Sequence, residues 1–104
     1  KAKNPKNFYI SSKMGSISDN QSGGYYSYRI SKSALNMFCK SLANDYPKLT
    51  SISLHPGWVK TKMGGSNATT TVKDSVFGLV RLMEISDKTL SGKFFNFKGQ
   101  EIPW

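Results

Sequence analysis

The sequence predicts an α/β fold built on a parallel sheet, and three observations lead to that prediction. Short apolar runs with strand character lie at residues 7–11, 50–54 and 93–97. Stretches with the three- and four-residue spacing of a helix lie between them. Glycine and proline mark the junctions. Strands that alternate with helices are typical of parallel sheets, so about three strands and two helices are expected.

The first strand is expected to be central in its sheet. Phe8, Tyr9 and Ile10 form a continuous apolar run, which suits a parallel strand covered on both faces. The loop after it, residues 13–27, is rich in Ser, Gly, Asp and Asn. Loops at the carboxyl ends of parallel strands are where such sheets bind ligands, so this loop is a candidate part of a site.

A long helix is predicted at residues 28–46, and Pro47 ends it. Its apolar face is formed by Ile30, Ala34, Met37, Phe38 and Leu42. Helical spacing puts Tyr28, Lys32, Asn36 and Lys40 in a polar row on the opposite side. A phenol and an ammonium one turn apart, about 6 Å, act on the same small space, and the cation favours the phenolate. Tyr28 and Lys32 therefore form a candidate proton-transfer pair.

The same interval separates Tyr9 from Lys13, but that pair begins in a predicted strand. Four residues of strand span about 13 Å, so those two side chains cannot act together. Only Tyr28 and Lys32 have the required geometry.

The second half of the chain repeats the strand, turn and helix order. The strand at 50–54 opens into His55 and a Pro56-Gly57 turn, followed by a small, polar segment up to residue 71. Thr71 and Asp74 have the spacing of an amino-terminal helix cap. The apolar positions of the helix that follows are Val72, Val76, Leu79, Val80 and Met83.

Composition limits the classes of function. The 104 residues suggest one domain, with neither a signal peptide nor an apolar run of the roughly 18 residues that a membrane span needs. One cysteine, Cys39, excludes an internal disulfide and indicates a reducing, cytoplasmic compartment, where it is expected to be a buried structural thiol. With one histidine, a metal site of the zinc type is not expected.

The charge is strongly positive, with fifteen Lys and Arg against six Asp and Glu and a formal charge of +9. The cations are scattered along the chain. A solvated surface is therefore the favoured interpretation, ahead of attraction for the phosphates of a nucleotide cofactor and of nucleic-acid binding.

Three blocks of sequence occur in an informative order. They are Ser-Ser-x-x-Gly-Ser-Ile at 11–17, Tyr-x-x-x-Lys at 28–32 and His-Pro-Gly-Trp-Val at 55–59. In this order, and together with the closing residues 99–104, they resemble the short-chain dehydrogenase/reductase family. The resemblance is to its C-factor-like or sniffer-like carbonyl reductase branch, and it extends over essentially the whole chain.

The resemblance implies an NAD(P)-dependent oxidoreductase that moves hydride between a nicotinamide and a carbonyl or alcohol carbon. Tyr28 matches the general acid/base, and Lys32 matches the residue that binds the nicotinamide ribose and favours the phenolate. Ser12 matches the serine that polarises the substrate oxygen. Ser12 precedes Tyr28 by sixteen positions, a longer spacing than is usual, so Ser11 and Ser16 stay open as alternatives.

The resemblance also implies a cofactor turn at Pro56, Gly57, Val59 and Thr61, and makes Tyr28 and Lys32 part of the cofactor site. The expected cofactor is NADP, with NAD possible. His55 is expected to be structural, without a role in proton transfer. The partners implied are a small carbonyl or alcohol substrate and a second copy of the chain, with neither nucleic acid nor a membrane.

The implied fold is a Rossmann-like, doubly wound parallel sheet, of which these residues are the carboxyl-terminal part. No glycine-rich phosphate-binding turn occurs in the 104 residues, so the amino-terminal half of the cofactor site is expected to lie outside them. The piece alone is expected to be inactive. The alternative hypothesis is a non-catalytic interaction or signalling domain on the same scaffold.

Overall fold

A computed structural model describes residues 3–104 and contains a three-stranded parallel sheet with two helices. The elements are β1 (Lys6–Ile10), α1 (Tyr26–Asp45), β2 (Thr50–His55), α2 (Val72–Ile85) and β3 (Phe94–Asn96), with short 3-10 turns at Lys13–Gly15 and Lys88–Leu90. The strands lie in the order β1, β2, β3, and both pairings are parallel. The predicted α/β class and element order are confirmed, and the boundaries differ by one or two residues.

The main core lies between the sheet and α2. Parallel register puts Leu54 of β2 between Ile10 of β1 and Phe95 of β3. Ile52, Leu54 and Phe95 are buried with Leu82 of α2. Burying a large apolar side chain contributes about 1.5–3 kcal/mol, so this cluster is a substantial part of what holds α2 on the sheet.

The interface between α1 and the opposite face of the sheet is small and polar. Asn36 and Cys39 of α1 are buried there, and the Ser51 hydroxyl donates to the Cys39 carbonyl at 3.1 Å. The prediction of a buried thiol at Cys39 is therefore confirmed. Small side chains let the helix approach the sheet closely.

The predicted apolar face of α1 is largely exposed, and the predicted polar row includes a buried residue. Ile30 and Met37 are 67% exposed and Phe38 is 54% exposed, whereas Asn36 in the predicted polar row is 3% exposed. The reason is local: a Cβ atom on Gly15 would lie only 2.8 Å from Lys32 Cβ, so small groups must face this contact. Within residues 3–104, Phe38 has an edge-to-face contact with the Tyr9 ring of β1 at 5.8 Å between centroids, and Ile30 and Met37 stay largely exposed.

Strand β1 lies at an edge of the described sheet and is not covered on both faces. It pairs only with β2 among residues 3–104, and Ile10 is 46% exposed. The expectation of a central, fully covered strand is therefore not met within the described residues. The apolar run Phe8 to Ile10 contacts the core only through Phe8, which packs against the buried cluster.

The predicted helix cap at Thr71 is present. Its hydroxyl accepts the N–H of Asp74 at 3.1 Å, which fixes the start of α2. The carboxyl ends of the three strands lie at the same edge of the sheet, and the loops after β1 and β2 carry the sequence blocks singled out above. No helix within residues 3–104 combines the length and apolar character needed to cross a membrane.

Candidate active site

Tyr28 and Lys32 are brought together by the first turns of α1. Lys32 Nζ lies 5.7 Å from the centroid of the Tyr28 ring, and it donates to the carbonyl oxygen of Ile10 at 3.3 Å. The second contact ties the ammonium to the carboxyl end of β1, two residues before Ser12. Tyr28 is 41% exposed, so its ring is accessible to a ligand at this edge.

Ser12 caps the 3-10 turn that follows β1. Its Oγ accepts the N–H of Met14 at 3.1 Å, and its carbonyl accepts the N–H of Gly15 at 2.8 Å. A hydroxyl has one proton to donate, and no acceptor for the proton of Ser12 is found within residues 3–104. The geometry therefore leaves Ser12 able to donate to another group.

The two alternative serines have different surroundings. Ser16 is 1% exposed, donates to the Pro103 carbonyl at 2.5 Å and accepts the N–H of Asp19 at 3.1 Å, so its hydroxyl is fully used. The Oγ atom of Ser11 is buried, and no partner for it is found among the described residues. These contacts favour Ser12 over Ser16, and burial favours Ser12, at 8% exposed, over Ser11, at 3%.

The Pro56-Gly57 turn follows β2, the strand next to β1. The Ser75 hydroxyl of α2 donates to the Pro56 carbonyl at 2.6 Å and holds the turn. Gly57 has φ of +88°, and a Cβ atom there would lie 2.8 Å from the Phe97 ring and 2.9 Å from Thr70 Oγ1. Glycine is thus required by packing inside the chain, in addition to any need for close approach to a ligand.

The segment after the turn folds back on itself. Val59 forms a bridge with Thr70, and the Lys60 N–H donates to the Thr70 carbonyl at 2.7 Å. The hydroxyl of Thr61 accepts the Gly64 N–H at 3.1 Å, so it closes a local turn. Thr61 therefore already has a structural partner, which sequence reasoning did not reveal.

The turn offers backbone donors that fit a carboxamide ligand. The internal hydrogen bonds of residues 3–104 use the N–H groups of Lys60 and Thr61, but not those of Gly57, Trp58 or Val59. Consecutive free amides form a donor set that suits the oxygen of a nicotinamide carboxamide. The residues present therefore fit the nicotinamide end of a dinucleotide.

His55 links the two loops. Its Nδ1 atom accepts the N–H of Lys13 at 3.0 Å, so the ring proton lies on Nε2. Burial, and then the charge of Lys13, lower the pKa of His55 from 6.5 to about 4, while Asp19 acts in the opposite direction. The neutral ring of His55 is thus a hydrogen-bond acceptor at physiological pH.

A cavity of about 700 Å³ borders the Pro-Gly turn at the ends of β2 and β3. Its polar and charged lining includes Lys13, His55, Asp74, Lys98 and Gln100, and its apolar lining includes Trp58, Phe97 and Ile102. Ser12, Tyr28 and Lys32 do not line it. The volume is in the range of small-molecule pockets.

Sequence reasoning missed Arg29, the neighbour of Tyr28. Its guanidinium donates to the carbonyls of Gly24, Gly23 and Met14 at 2.9, 3.1 and 3.3 Å, and to Ser22 Oγ at 3.2 Å. It therefore joins both ends of the loop between β1 and α1. An arginine at the start of a helix, just after a Gly-Gly turn, was the available indication.

Within residues 3–104, no group of three or more His, Cys, Asp and Glu side chains is arranged so that it could hold a metal ion.

No protein-family model matches the chain. The chain is 45% identical over 98 residues to the C-signal protein of Myxococcus xanthus, a match that covers 92% of this chain and 59% of that protein.

Two solved structures are similar in sequence and in fold. The carbonyl reductase Sniffer of D. melanogaster superposes with a TM-score of 0.91 and 44% identity, over 95% of this chain and 41% of that one. The NADPH-bound carbonyl reductase from chicken fatty liver superposes with a TM-score of 0.87 and 38% identity, over 95% of this chain and 42% of that one.

The chain spans about half the length of these relatives, between 41% of Sniffer and 59% of the C-signal protein. Over that part, the identities lie well above the level at which only a fold is shared. In sequence and in fold, this chain therefore matches the short-chain dehydrogenase/reductase family, in its C-factor-like and Sniffer-like carbonyl reductase branch.

Proposed function

We propose that the protein containing this chain is an NADP-dependent carbonyl reductase in which Tyr28 is the general acid/base. The observation that carries the proposal is the position of the Lys32 ammonium, 5.7 Å from the Tyr28 ring and held by the Ile10 carbonyl. An ammonium fixed at this place attracts the negative charge that develops on the Tyr28 oxygen when its proton leaves. Tyr28 can then give its proton to a substrate oxygen.

Ser12 supplies the second contact to the substrate oxygen in this proposal. Its hydroxyl proton is free of acceptors within residues 3–104, since its oxygen accepts the Met14 N–H. Because this donor is already in place, the site does not have to reorganise when negative charge develops on the substrate oxygen. Donation from Ser12 and proton transfer from Tyr28 together polarise the carbonyl.

The cofactor supplies the hydride when it is bound. Lys32, next to Tyr28, is proposed to bind the ribose of the cofactor. The backbone amides of Gly57 and Val59 are proposed to bind its carboxamide, and Pro56 shapes the turn that presents them. Thr61 is proposed to complete this set by donating from its hydroxyl, whose Oγ1 atom lies 3.5 Å from the Val59 carbonyl oxygen in the structure. NADP is favoured over NAD because the chicken relative is NADPH-bound and because the charge of +9 attracts phosphate.

The remaining parts of the proposal concern the whole protein. The chain is the carboxyl-terminal portion of one Rossmann-fold domain, and the glycine-rich pyrophosphate turn lies outside the 104 residues. These residues alone are then expected to be inactive. A second copy of the chain packs on the exposed apolar row of α1, and the reaction takes place on a small carbonyl or alcohol substrate in the cytoplasm.

A second candidate function is a non-catalytic signalling or interaction domain. The observation that favours it is the name of the Myxococcus relative, C-signal, at 45% identity. Such a domain needs the scaffold but has no use for a free Ser12 proton, an ammonium beside Tyr28 and unpaired turn amides in the same place.

Purified full-length protein separates the two candidates. We expect it to bind NADPH with a dissociation constant in the micromolar range and to oxidise it in the presence of aldehydes, ketones or quinones. The signalling candidate predicts neither binding nor oxidation. Binding without oxidation of NADPH by any carbonyl tested would contradict the reductase proposal while keeping the cofactor site.

A further inference from the structure

The turn that positions Ser12 is held from two sides. From α1, the Arg29 guanidinium holds the Met14 carbonyl at 3.3 Å, and the Ser33 hydroxyl holds the Gly15 carbonyl at 2.9 Å. From β2, the ring of His55 holds the Lys13 N–H at 3.0 Å. The bond to His55 comes from the residue after Ser12, and the N–H of Ser11, the residue before it, donates to the Leu54 carbonyl of β2 at 2.7 Å.

Three consecutive amides of this turn have acceptors. The Met14 and Gly15 amides bond to the side chain and the carbonyl of Ser12, so these two bonds are internal to the turn. The Lys13 amide bonds to His55, 42 residues away. Internal bonds keep the shape of a turn, whereas a bond to another strand fixes where the turn lies. His55 therefore fixes the start of the turn, on the carboxyl side of Ser12, relative to β2.

His55 also adjoins the cofactor turn. It is the last residue of β2 and precedes Pro56, whose carbonyl is held by Ser75 at 2.6 Å. A shift of the His55 ring relative to Lys13 would thus change the distance between Ser12 and the Pro-Gly turn. In a reaction across that gap, displacements of about 1 Å change rates on the order of 100-fold.

We infer that His55 is a positioning residue for Ser12, acting through its Nδ1 acceptor on the Lys13 amide. The inference rests on the proposed function. It gives the histidine a role without any proton transfer, because Nδ1 accepts a backbone N–H and is not available to the substrate. The requirement is for an acceptor atom at the Nδ1 position, and neither the aromatic ring nor a positive charge is needed.

The surroundings of His55 agree with an acceptor that is neutral at physiological pH. The charged groups that face it are Lys13 and Asp19, which form an ion pair at 3.5 Å, and Asp74 and Lys98, which line the same cavity. Burial and Lys13 lower the pKa of His55 to about 4. The acceptor is therefore present throughout the neutral range.

Two amide replacements test this requirement in the full-length protein. In His55→Asn, the side-chain oxygen takes the place of Nδ1; in His55→Gln, it takes the place of Nε2 and cannot reach the Lys13 amide. We expect the kcat of His55→Gln to fall by about 10-fold or more, with the dissociation constant for NADPH unchanged. We expect His55→Asn to stay within about threefold of the wild type in kcat, since it keeps the acceptor.

A double-mutant cycle with Ser12→Ala separates positioning from general loss of structure. If His55 acts through Ser12, adding His55→Gln to Ser12→Ala lowers kcat only slightly below that of Ser12→Ala alone. Single-turnover rates, with enzyme in excess over NADPH, keep the weak variants measurable.

The outcomes are distinct. Three results would each overturn the positioning role and leave the proposed function intact. The first is an equal kcat for His55→Gln and the wild type, and the second is an equal loss of kcat in His55→Asn and His55→Gln. The third is full additivity of His55→Gln with Ser12→Ala. A wild-type protein that does not oxidise NADPH would overturn the proposed function, and this inference with it.

Discussion

Lys32 Nζ lies 5.7 Å from the centroid of the Tyr28 ring and is tied by a hydrogen bond to the Ile10 carbonyl at the end of β1. The ammonium is thus fixed by the sheet as well as by its own helix. A cation that is held on both sides loses little freedom when a ligand binds.

Replacing Lys32 with Met removes the ammonium but keeps most of the side-chain length. We expect kcat to fall by about 100-fold or more and the affinity for NADPH to weaken, because one group serves both the phenolate and the ribose. Lys40→Met, two turns along the same helix, is the matched control. Steady-state kinetics and NADPH titration check the result, and equal effects of the two variants would refute the assignment.

Replacing Gly57 with Ala introduces a Cβ atom 2.8 Å from the Phe97 ring at a φ of +88°. Strain of the backbone and overpacking together are expected to lower the free energy of unfolding by about 2–4 kcal/mol. Gly23→Ala is the control: φ is +68°, but no atom lies within 4 Å, so about 1–2 kcal/mol is expected. Denaturant unfolding of the full-length variants measures both values, and similar values would contradict the packing account.

Replacing Arg29 with Met releases the loop between β1 and α1 from Met14, Gly23 and Gly24. We expect faster hydrogen exchange in residues 14–24 and a higher KM for the carbonyl substrate, with a smaller change in NADPH binding. Arg81→Met, on the exposed side of α2, provides the comparison. Unchanged exchange in the loop would show that the guanidinium does not hold it.

Acid is expected to destabilise the protein through His55. Its pKa is lowered from 6.5 to about 4 in the folded state, so the unfolded chain binds more protons between these values. Stability therefore falls as pH decreases from about 6.5 towards about 4, and the contribution is present in full above pH 6.5. Because the ring is only partly buried, about 1–2 kcal/mol is expected after allowance for solvent screening. Unfolding curves of wild type and His55→Asn, recorded across this range, give the difference; parallel curves would contradict the expectation.

Much of the fold could be predicted from periodicity. Strand runs of five residues and helices of three or more turns have strong local patterns, and the Thr71 cap marks the start of α2. The burial of α1 could not be predicted in this way. Its apolar row, with Ile30 and Met37, is exposed because the close contact at Gly15 selects small polar groups for the inner face.

Some contacts of the candidate site could be predicted from the sequence, and others could not. The helical pairing of Tyr28 and Lys32 follows from spacing alone and is present in the structure. The hydrogen-bond partners of Ser12, Ser16 and Thr61 depend on contacts between distant segments, such as the one from Ser16 to Pro103, which no local pattern records. Arg29 was missed for the same reason, and the structural role expected for His55 could not be assigned a partner.

The rate of NADPH oxidation by Tyr28→Phe in the full-length protein tests the central claim most directly. The account predicts a loss of about 100-fold or more in kcat/KM, with NADPH binding within about twofold of the wild type, because phenylalanine keeps the ring but has no proton to transfer. Tyr26→Phe, two residues earlier on α1 and 78% exposed, should retain full activity. Turnover by Tyr28→Phe at the wild-type rate would show that Tyr28 is not the acid/base.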